Sequence, residues 1–275
     1  ELSQKAASAE HGGRHPLPDP STFGITLGKL GIKKNTHVIV YDDKAGANAA
    51  ARFWWMLKAA GHEKVNVVNG GLKAIETEGF QLSNIEVERN PVEAYVFDRW
   101  LLPIATLDEV EHASKNPDAV VIDVREAYRY NGESEPIDLV AGHIPGAVFF
   151  DIDEISDKTS TLPHMLPDAA LFAQHMARLG ISDQPHLIVY DGAGLFSAPR
   201  VRWTLQVFGA TNVSILAGGA PKWRSENRPW TNAATTPKSA TFTPTFNAAS
   251  VANNTLVANA LVLTACALKI LYRTK

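Results

Sequence analysis

The chain has 275 residues, of which 45% are hydrophobic and 20% charged, and its formal net charge is -3. These values are typical of a globular protein of about two domains, and without a Lys/Arg-rich block nothing favours a nucleic-acid or anionic-membrane partner. Cys266 is the only cysteine, which excludes an internal disulfide, fits a reducing compartment and leads us to expect a cytoplasmic protein. Residues 1–14 lack the apolar core of a signal peptide, and the longest apolar run, 255–271, is interrupted and shorter than the ~20 residues of a membrane span.

Residues 1–82 have the pattern expected of the rear half of an α/β domain. Ser21 is suited to cap a helix that ends at Gly31. After that helix come predicted strands at 37–41 and 65–68, with a helix at 48–60 between them. The strands are apolar on both faces, which is typical of parallel strands covered by helices. Residues 83–103 contain prolines and are of mixed polarity, so we interpret them as a linker.

Residues 104–231 contain a fuller set of elements. Thr106 and Glu109 have the spacing of a capping box at the start of a helix. The predicted elements are strands at 119–124, 148–150, 186–190 and 213–216 and helices at 107–115, 168–179 and 198–208. This alternation predicts a parallel sheet flanked by helices, so we expect an α/β fold with one complete domain plus a partial copy. Residues 232–275 are too short for a third domain, and we interpret them as a linker and a residual C-terminal segment.

The two units are copies of one domain. The segment from His37 to Trp55 repeats that from His186 to Trp203, with matching residues 149 positions apart before the loop and 148 after it. The correspondence keeps its register over about 65 residues, which indicates a duplicated domain rather than a short repeat. Half a parallel sheet leaves edge amides unpaired, so we expect the first unit either to pack against the second or to be unstable.

Each copy places an acidic residue in a loop between a strand and a helix. The loop consists of Asp191, Gly192, Ala193 and Gly194 in the second copy and begins at Asp42 in the first. Backbone amides and the positive end of the helix converge in such a loop, which suits it to an anion. An Asp at this position has two interpretations. It is a functional acid or nucleophile of an anion-binding loop, or it caps the helix and satisfies the loop amides.

Several motifs resemble the tandem rhodanese family of sulfurtransferases: DVREAYRYNGESEPID, GHIPGA, VYDGAGLFSAPRVRW and the Gly-Gly-x-x-x-Trp that follows them. The resemblance extends from His15 to Trp230. It implies two homologous α/β domains and transfer of a sulfane sulfur through a cysteine persulfide in the loop of the C-terminal domain. In this chain both loops, at Asp42 and Asp191, instead resemble the family's inactive type, in which Asp replaces the cysteine.

The resemblance also indicates residues that contact substrate. Arg129 matches a substrate-contacting arginine of the family, and Arg125 is a second candidate ligand for anionic oxygens. The alternative for both arginines is a salt bridge to Glu126, Glu133 or Glu135. We predict no metal site, because the histidines lack the spacing of metal ligands, and no cofactor.

The expected function is that of a rhodanese-like sulfurtransferase that is catalytically impaired by Asp at both loop positions. Its partners would be a small anionic sulfur donor, thiosulfate or 3-mercaptopyruvate, and a thiophilic acceptor. Cys266 is the candidate catalytic residue, although no helix N-terminus or cation is predicted beside it, and it is otherwise a small apolar residue. The alternatives are a non-catalytic rhodanese module for anion binding or protein interaction, and a truncated or recombined gene product.

Overall fold

The computed structural model describes residues 15–85, 89–132, 141–262 and 267–269. Within these ranges the chain forms two parallel sheets flanked by helices, which confirms the predicted α/β fold. None of the helices in the described part of the chain has the length and apolar content that crossing a membrane requires.

The helices and strands follow the chain in three groups. The first unit contains α1 (Pro20–Lys29), β1 (Val38–Tyr41), α2 (Ala49–Ala59), β2 (Val65–Val68) and α3 (Gly71–Thr77). The second unit contains β3 (Ile104–Ala105), α4 (Leu107–Ala113), β4 (Ala119–Asp123), α5 (Ala127–Tyr130), β5 (Val148–Phe149), α6 (Ala169–Arg178), β6 (His186–Tyr190), α7 (Ala198–Val207), β7 (Val213–Leu216) and α8 (Gly219–Ser225). The C-terminal part contains a 3-10 helix (Ala248–Ser250), β8 (Val251–Ala252), α9 (Asn254–Val262) and β9 (Ala267–Lys269).

The second sheet has the order β3-β7-β6-β4-β5, and its strands are parallel. The central strand β6 is buried from Leu187 to Tyr190, as expected of an apolar run covered by helices on both faces. The predicted capping box is confirmed at the start of α4. Thr106 Oγ1 accepts a hydrogen bond from the Glu109 amide at 3.3 Å, and Glu109 Oε2 accepts one from the Thr106 amide at 2.7 Å.

The first sheet has the order β8-β2-β1-β9 and is also parallel. Its central strands β1 and β2 match the predicted positions, whereas β8 and β9 come from residues interpreted above as a linker and a residual segment. The structure therefore gives part of 232–275 a place in the first sheet. In the predicted linker, Tyr95 is buried, and its amide donates to the Gly24 carbonyl of α1 at 2.9 Å.

The two units share one hydrophobic core, which confirms the expected packing of the first unit against the second. Trp54 and Trp55 of α2 and Trp203 of α7 are buried in the same apolar cluster, and α2 packs against α7. The carboxyl ends of β1 and β6 are each joined to one of these two helices, α2 and α7, by a loop. The loops that begin at Asp42 and Asp191 therefore lie on either side of the interface between the units.

Candidate active site

The loop after β6 is organised around the carboxylate of Asp191, which is 1% exposed. Asp191 Oδ1 accepts hydrogen bonds from the amides of Ala193 at 2.9 Å and Gly194 at 2.7 Å. Asp191 Oδ2 accepts from the amides of Phe196 at 2.5 Å and Ala198 at 3.0 Å. The backbone donors that would otherwise surround an external anion are thus directed at a side chain of the protein itself.

The loop after β1 has the same arrangement around Asp42, which is 4% exposed. Asp42 Oδ1 accepts from the amides of Lys44 at 2.9 Å and Gly46 at 2.7 Å. Asp42 Oδ2 accepts from the amides of Asn48 at 3.2 Å and Ala50 at 3.0 Å. In both loops the structure agrees with the interpretation that Asp caps the helix and satisfies the loop amides.

Two buried arginines, Arg52 of α2 and Arg200 of α7, tie each loop to the opposite unit. Arg52 Nη1 donates to the carbonyl of Leu195 at 2.5 Å, and Arg200 Nη1 donates to the carbonyl of Ala45 at 3.2 Å. Ala45 and Leu195 have φ angles of 56° and 78°, in the left-handed region that non-glycine residues seldom adopt. Each unit therefore holds the strained position of its neighbour's loop.

Burial affects the charge of Arg200. It lowers the pKa of Arg200 to about 10, an effect partly offset by the nearby negative charge of Asp42. The guanidinium remains charged at neutral pH and lies over the Trp203 ring, 4.6 Å from its centroid. In the sequence, Arg52 and Arg200 are recognisable only as matching positions of the two duplicated segments, because their acceptors are backbone carbonyls that leave no pattern in the sequence.

Arg125 lies at the carboxyl end of the second sheet in a buried ion pair that the sequence analysis missed. Its Nη2 is 2.6 Å from Asp123 Oδ2, its Nε donates to Asp123 Oδ1 at 3.0 Å, and both side chains are at most 1% exposed. Although burial lowers the pKa of Arg125, the hydrogen bond and charge of Asp123 outweigh it and raise that pKa overall. Asp123 also accepts a 2.5 Å hydrogen bond from the Tyr190 hydroxyl.

The Tyr190 hydroxyl and Trp230 complete this polar cluster. Burial, aided by the charge of Asp123, raises the pKa of Tyr190 well above its ordinary value, so the phenol remains neutral. The phenol oxygen accepts from the Ile144 amide at 3.2 Å, and the Arg125 guanidinium lies 5.0 Å from the Trp230 ring centroid. The geometry thus places Arg125 within the supporting structure of the site. Its role as a substrate ligand stays a prediction.

Arg129 lies closer to solvent, with a side chain 29% exposed. Its Nε is 3.2 Å from Glu126 Oε2, so the salt bridge to Glu126 considered from the sequence is present. The guanidinium also approaches Gly192, where an added Cβ would lie 3.4 Å from Arg129 Nη1. Glu133 and Glu135 lie outside the described residues. Substrate binding by Arg129 likewise stays a prediction.

A cavity of about 520 Å³ opens between the two loops. It is lined by Asn48 of the first loop, by Gly192 and Ser197 of the second, and by Arg125 and Arg129. Acidic residues form another part of the wall, where His164 Nε2 lies 2.6 Å from Asp153 Oδ1 and Asp151 is adjacent. Among the described residues, no group of three or more His, Cys, Asp or Glu side chains is arranged to hold a metal ion.

Cys266 lies outside the described residues. The next residue in the chain, Ala267, pairs with Ile39 of β1. Ile39 precedes Asp42 by three residues, which corresponds to roughly 10 Å along a strand. The backbone of Ala267 is therefore set back along the sheet from the first loop.

Comparison with known proteins identifies the relatives of this arrangement. A model of the rhodanese-like domain matches residues 5–78 and 106–226. The 3-mercaptopyruvate sulfurtransferase of Escherichia coli is 48% identical over 113 residues, which cover 41% of this chain and 40% of the relative. A probable 3-mercaptopyruvate sulfurtransferase of Pseudomonas aeruginosa is 32% identical over 219 residues, covering 78% of this chain and 74% of the relative.

Solved structures give the same result for the fold. The crystal structure of SseA from Escherichia coli, a 3-mercaptopyruvate sulfurtransferase, matches with a TM-score of 0.51 and 39% identity, covering 58% of this chain and 61% of that one. A structure of EanB in complex with ergothioneine matches with a TM-score of 0.68, covering 78% of this chain and 55% of that one, but at 22% identity shows the fold alone. The Escherichia coli alignment spans less than half of the relative's length.

Proposed function

Because the chain belongs to the rhodanese-like domain family, we propose that it has the fold and interdomain cleft of a sulfurtransferase but that neither of its two loops carries sulfur. The observation that supports this proposal is the hydrogen bonding of Asp42 and Asp191, each of which accepts four backbone amides. Those amides are the groups that would stabilise a thiolate or a persulfide. The protein's own carboxylates already occupy them.

The chemistry of the carboxylate points the same way. A thiolate attacks the outer sulfur of thiosulfate, breaks its bond to the sulfite group, which leaves as sulfite, and holds the sulfur as a persulfide, whereas a carboxylate provides no stable sulfur-sulfur bond. A carboxylate also repels an anionic donor, and two like charges about 4 Å apart at an effective dielectric of about 20 cost roughly 4 kcal/mol. Asp191 therefore disfavours both the approach of the donor and the intermediate.

The cleft itself supports a second candidate function, a non-catalytic module that binds a small anion. Arg129 lines the 520 Å³ cavity beside the Gly192 backbone, where it is suited to an anionic oxygen. This candidate requires a ligand that enters the cleft without transfer of sulfur. Binding of thiosulfate to the wild-type chain, weakened by Arg129→Gln and measured by calorimetry, would support it.

The deciding experiment measures thiocyanate formed from cyanide with thiosulfate or 3-mercaptopyruvate as donor. The wild-type chain and Cys266→Ser should give the same rate as the buffer, and mass spectrometry after exposure to donor should find no persulfide. Turnover by the wild type that is lost in Cys266→Ser would contradict the proposal and assign the sulfur to Cys266. A bovine or bacterial sulfurtransferase with a loop cysteine is the positive control.

A further inference from the structure

Strand β8 holds a position in the first sheet that β3 holds in the second. β8 pairs in parallel with β2, with Val251 opposite Val67. β3 pairs in parallel with β7, with Ile104 opposite Ile215. Val67 and Ile215 are matching residues of the duplicated domain, 148 positions apart. The two short strands therefore have the same neighbour in the same register.

Strand β9 has an equivalent relation to β4. β9 pairs in parallel with β1, with Ala267 opposite Ile39. β4 pairs in parallel with β6, with Val121 opposite Ile188. Ile39 and Ile188 are again matching residues, 149 positions apart. Strands β8 and β9 therefore occupy both edges of the β1-β2 pair, as β3 and β4 occupy the edges of the β6-β7 pair. In the first sheet, however, these strands come from the C-terminal part of the chain.

The helix between the two strands begins in the same way in both units. Asn253 follows β8 directly, and its Oδ1 accepts from the Leu256 amide three residues later at 2.9 Å. Thr106 follows β3 directly, and its Oγ1 accepts from the Glu109 amide three residues later at 3.3 Å. A side-chain oxygen therefore caps each helix at the same distance from the preceding strand.

Helix α9 also supplies core residues in the expected places. Val257 is 7% exposed and packs in a cluster with Ala252, Ile39 and Val68. Five buried residues of this cluster have counterparts in one cluster of the second unit: Ile39 and Ile188, Val68 and Leu216, Ile75 and Trp223, Ala252 and Ala105, Val257 and Val110. The C-terminal segment therefore covers the first sheet with the same apolar face that α4 presents to the second.

The route of the chain delivers this segment within one molecule. The amides of Thr245 and Asn247 donate to the carbonyls of Phe208 and Val207 at the end of α7, at 2.9 and 2.7 Å. The Trp203 indole N–H then donates to the Ser250 carbonyl at 3.1 Å. Only three residues separate Asn247 from β8, so the second unit holds the segment at the edge of the first sheet.

Asn66 of β2 makes a contact that its counterpart Ser214 cannot make, because serine lacks an amide nitrogen. Asn66 Oδ1 is 2.6 Å from His37 Nε2, as Ser214 Oγ is 2.8 Å from His186 Nε2. Asn66 has a further amide nitrogen, and Nδ2 donates to the Ala249 carbonyl at 2.6 Å. This side chain therefore joins the first unit to the segment in addition to the strand pairing.

We infer that the described C-terminal residues, 248–262 and 267–269, close the first domain in permuted order, and that the edges and one face of the β1-β2 pair are the interaction surface for these two strands and the helix α9 of the same chain. The segment stands in place of the β3-α4-β4 unit, and the first domain needs it to keep its sheet and the Asp42 loop in position. This inference is independent of sulfur transfer, because it depends on strand register, apolar packing and the hydrogen bonds that hold the segment.

The test introduces a charge into the buried face of α9 in the full-length chain. Val257→Lys should release the segment and raise the hydrogen-exchange rate of the β2 amides by more than about tenfold, because exchange follows the free energy of local opening. The amides of β7 serve as an internal reference and should not change. Asn259→Lys, on the exposed side of the same helix, is the matched control and should exchange like the wild type.

Two milder variants keep the test decisive if Val257→Lys does not fold. Val257→Ala and Asn66→Ser should each increase β2 exchange, the latter while keeping an oxygen for His37. Wild-type protection of β2 in all three variants would overturn the inference. Light scattering should find a monomer at every concentration, and hydrogen exchange should find the β2 amides of that monomer protected. A dimer whose dissociation on dilution exposes β2 would overturn it as well, by showing that a second copy supplies the segment.

Discussion

Replacing Asp191 by cysteine tests whether the second loop still provides the environment that a sulfur nucleophile needs. The variant is made together with Cys266→Ser, so that the new thiol is the only one in the chain. The four amides that now donate to the Asp191 carboxylate would face the new Sγ atom. Since they donate to an anion at the start of α7, they favour the thiolate over the thiol.

The magnitude follows from the number of donors. A hydrogen bond to a charged group contributes about 1.5 kcal/mol. The single large sulfur atom replaces two carboxylate oxygens that share the four donors, so we count two of these donors. The thiolate then gains about 3 kcal/mol, which makes the thiol roughly 100-fold more acidic than a free cysteine. Arg129 beside Gly192 adds positive charge on the same side.

The assay is the pH dependence of alkylation by iodoacetamide. The thiol of Asp191→Cys should ionise about two pH units below that of Leu82→Cys, an exposed reference site outside the helices in the same Cys266→Ser background. The variant should also become labelled with a sulfane sulfur on exposure to thiosulfate. Equal ionisation at the two sites would refute the reasoning, because it would show that the amides do not converge on the side chain at position 191.

Three further predictions concern stability. Asp42→Ala should lower the free energy of unfolding by about 3 kcal/mol in urea, since four amides lose their acceptor and two of these hydrogen bonds are buried. A loss below about 1 kcal/mol would count against the capping role. His62 is buried, and burial lowers the pKa of its imidazole. The neutral side chain therefore stabilises the folded state above about pH 6.5, and this stabilisation is lost as the pH falls. The melting temperatures of the wild type and His62→Ala should converge as the pH is lowered from about 8 to about 5. Arg202 is 4% exposed, burial lowers its pKa to about 10, and within the described residues its Nε has no hydrogen-bond partner. Arg202→Met should therefore leave the free energy of unfolding in urea unchanged or raise it by about 1 kcal/mol. A decrease of similar size would reveal an anionic partner.

The sequence was sufficient where the relevant interactions are local or periodic. The apolar runs before Asp42 and Asp191 predicted the central strands, and the spacing of Thr106 and Glu109 predicted a cap that the structure contains. The possibility that each Asp satisfies its own loop also came from local chemistry, since the donors lie within eight residues of the acceptor. These features depend on neighbours along the chain.

The features that the sequence did not predict depend on contacts between distant segments. β8 is two residues long, so no periodicity distinguishes it from a linker, and its pairing with β2 spans more than 180 positions. Arg125 was considered a partner of glutamates, whereas its buried partner is Asp123, two residues earlier at the end of β4. Arg125 lies just beyond the strand, where no periodicity predicts the direction of its side chain, and the burial of both side chains explains why they pair with each other.

The two loops together indicate why an Asp is retained in this architecture. The first copy has one more residue than the second between its Asp and the matching helix residue, Ala50 or Ala198. In each copy Oδ1 nevertheless accepts from the amide two positions after the Asp and from a glycine amide, and Oδ2 accepts from an amide in the first turn of the helix. The carboxylate oxygens therefore fix the loop conformation, and the loop adapts its length to them. An internal anion of this kind keeps the amides ordered without a ligand, so the stability of the loop does not require that it transfer sulfur. A cysteine at the same position would have to leave those amides partly unsatisfied until its sulfur ionises or becomes a persulfide.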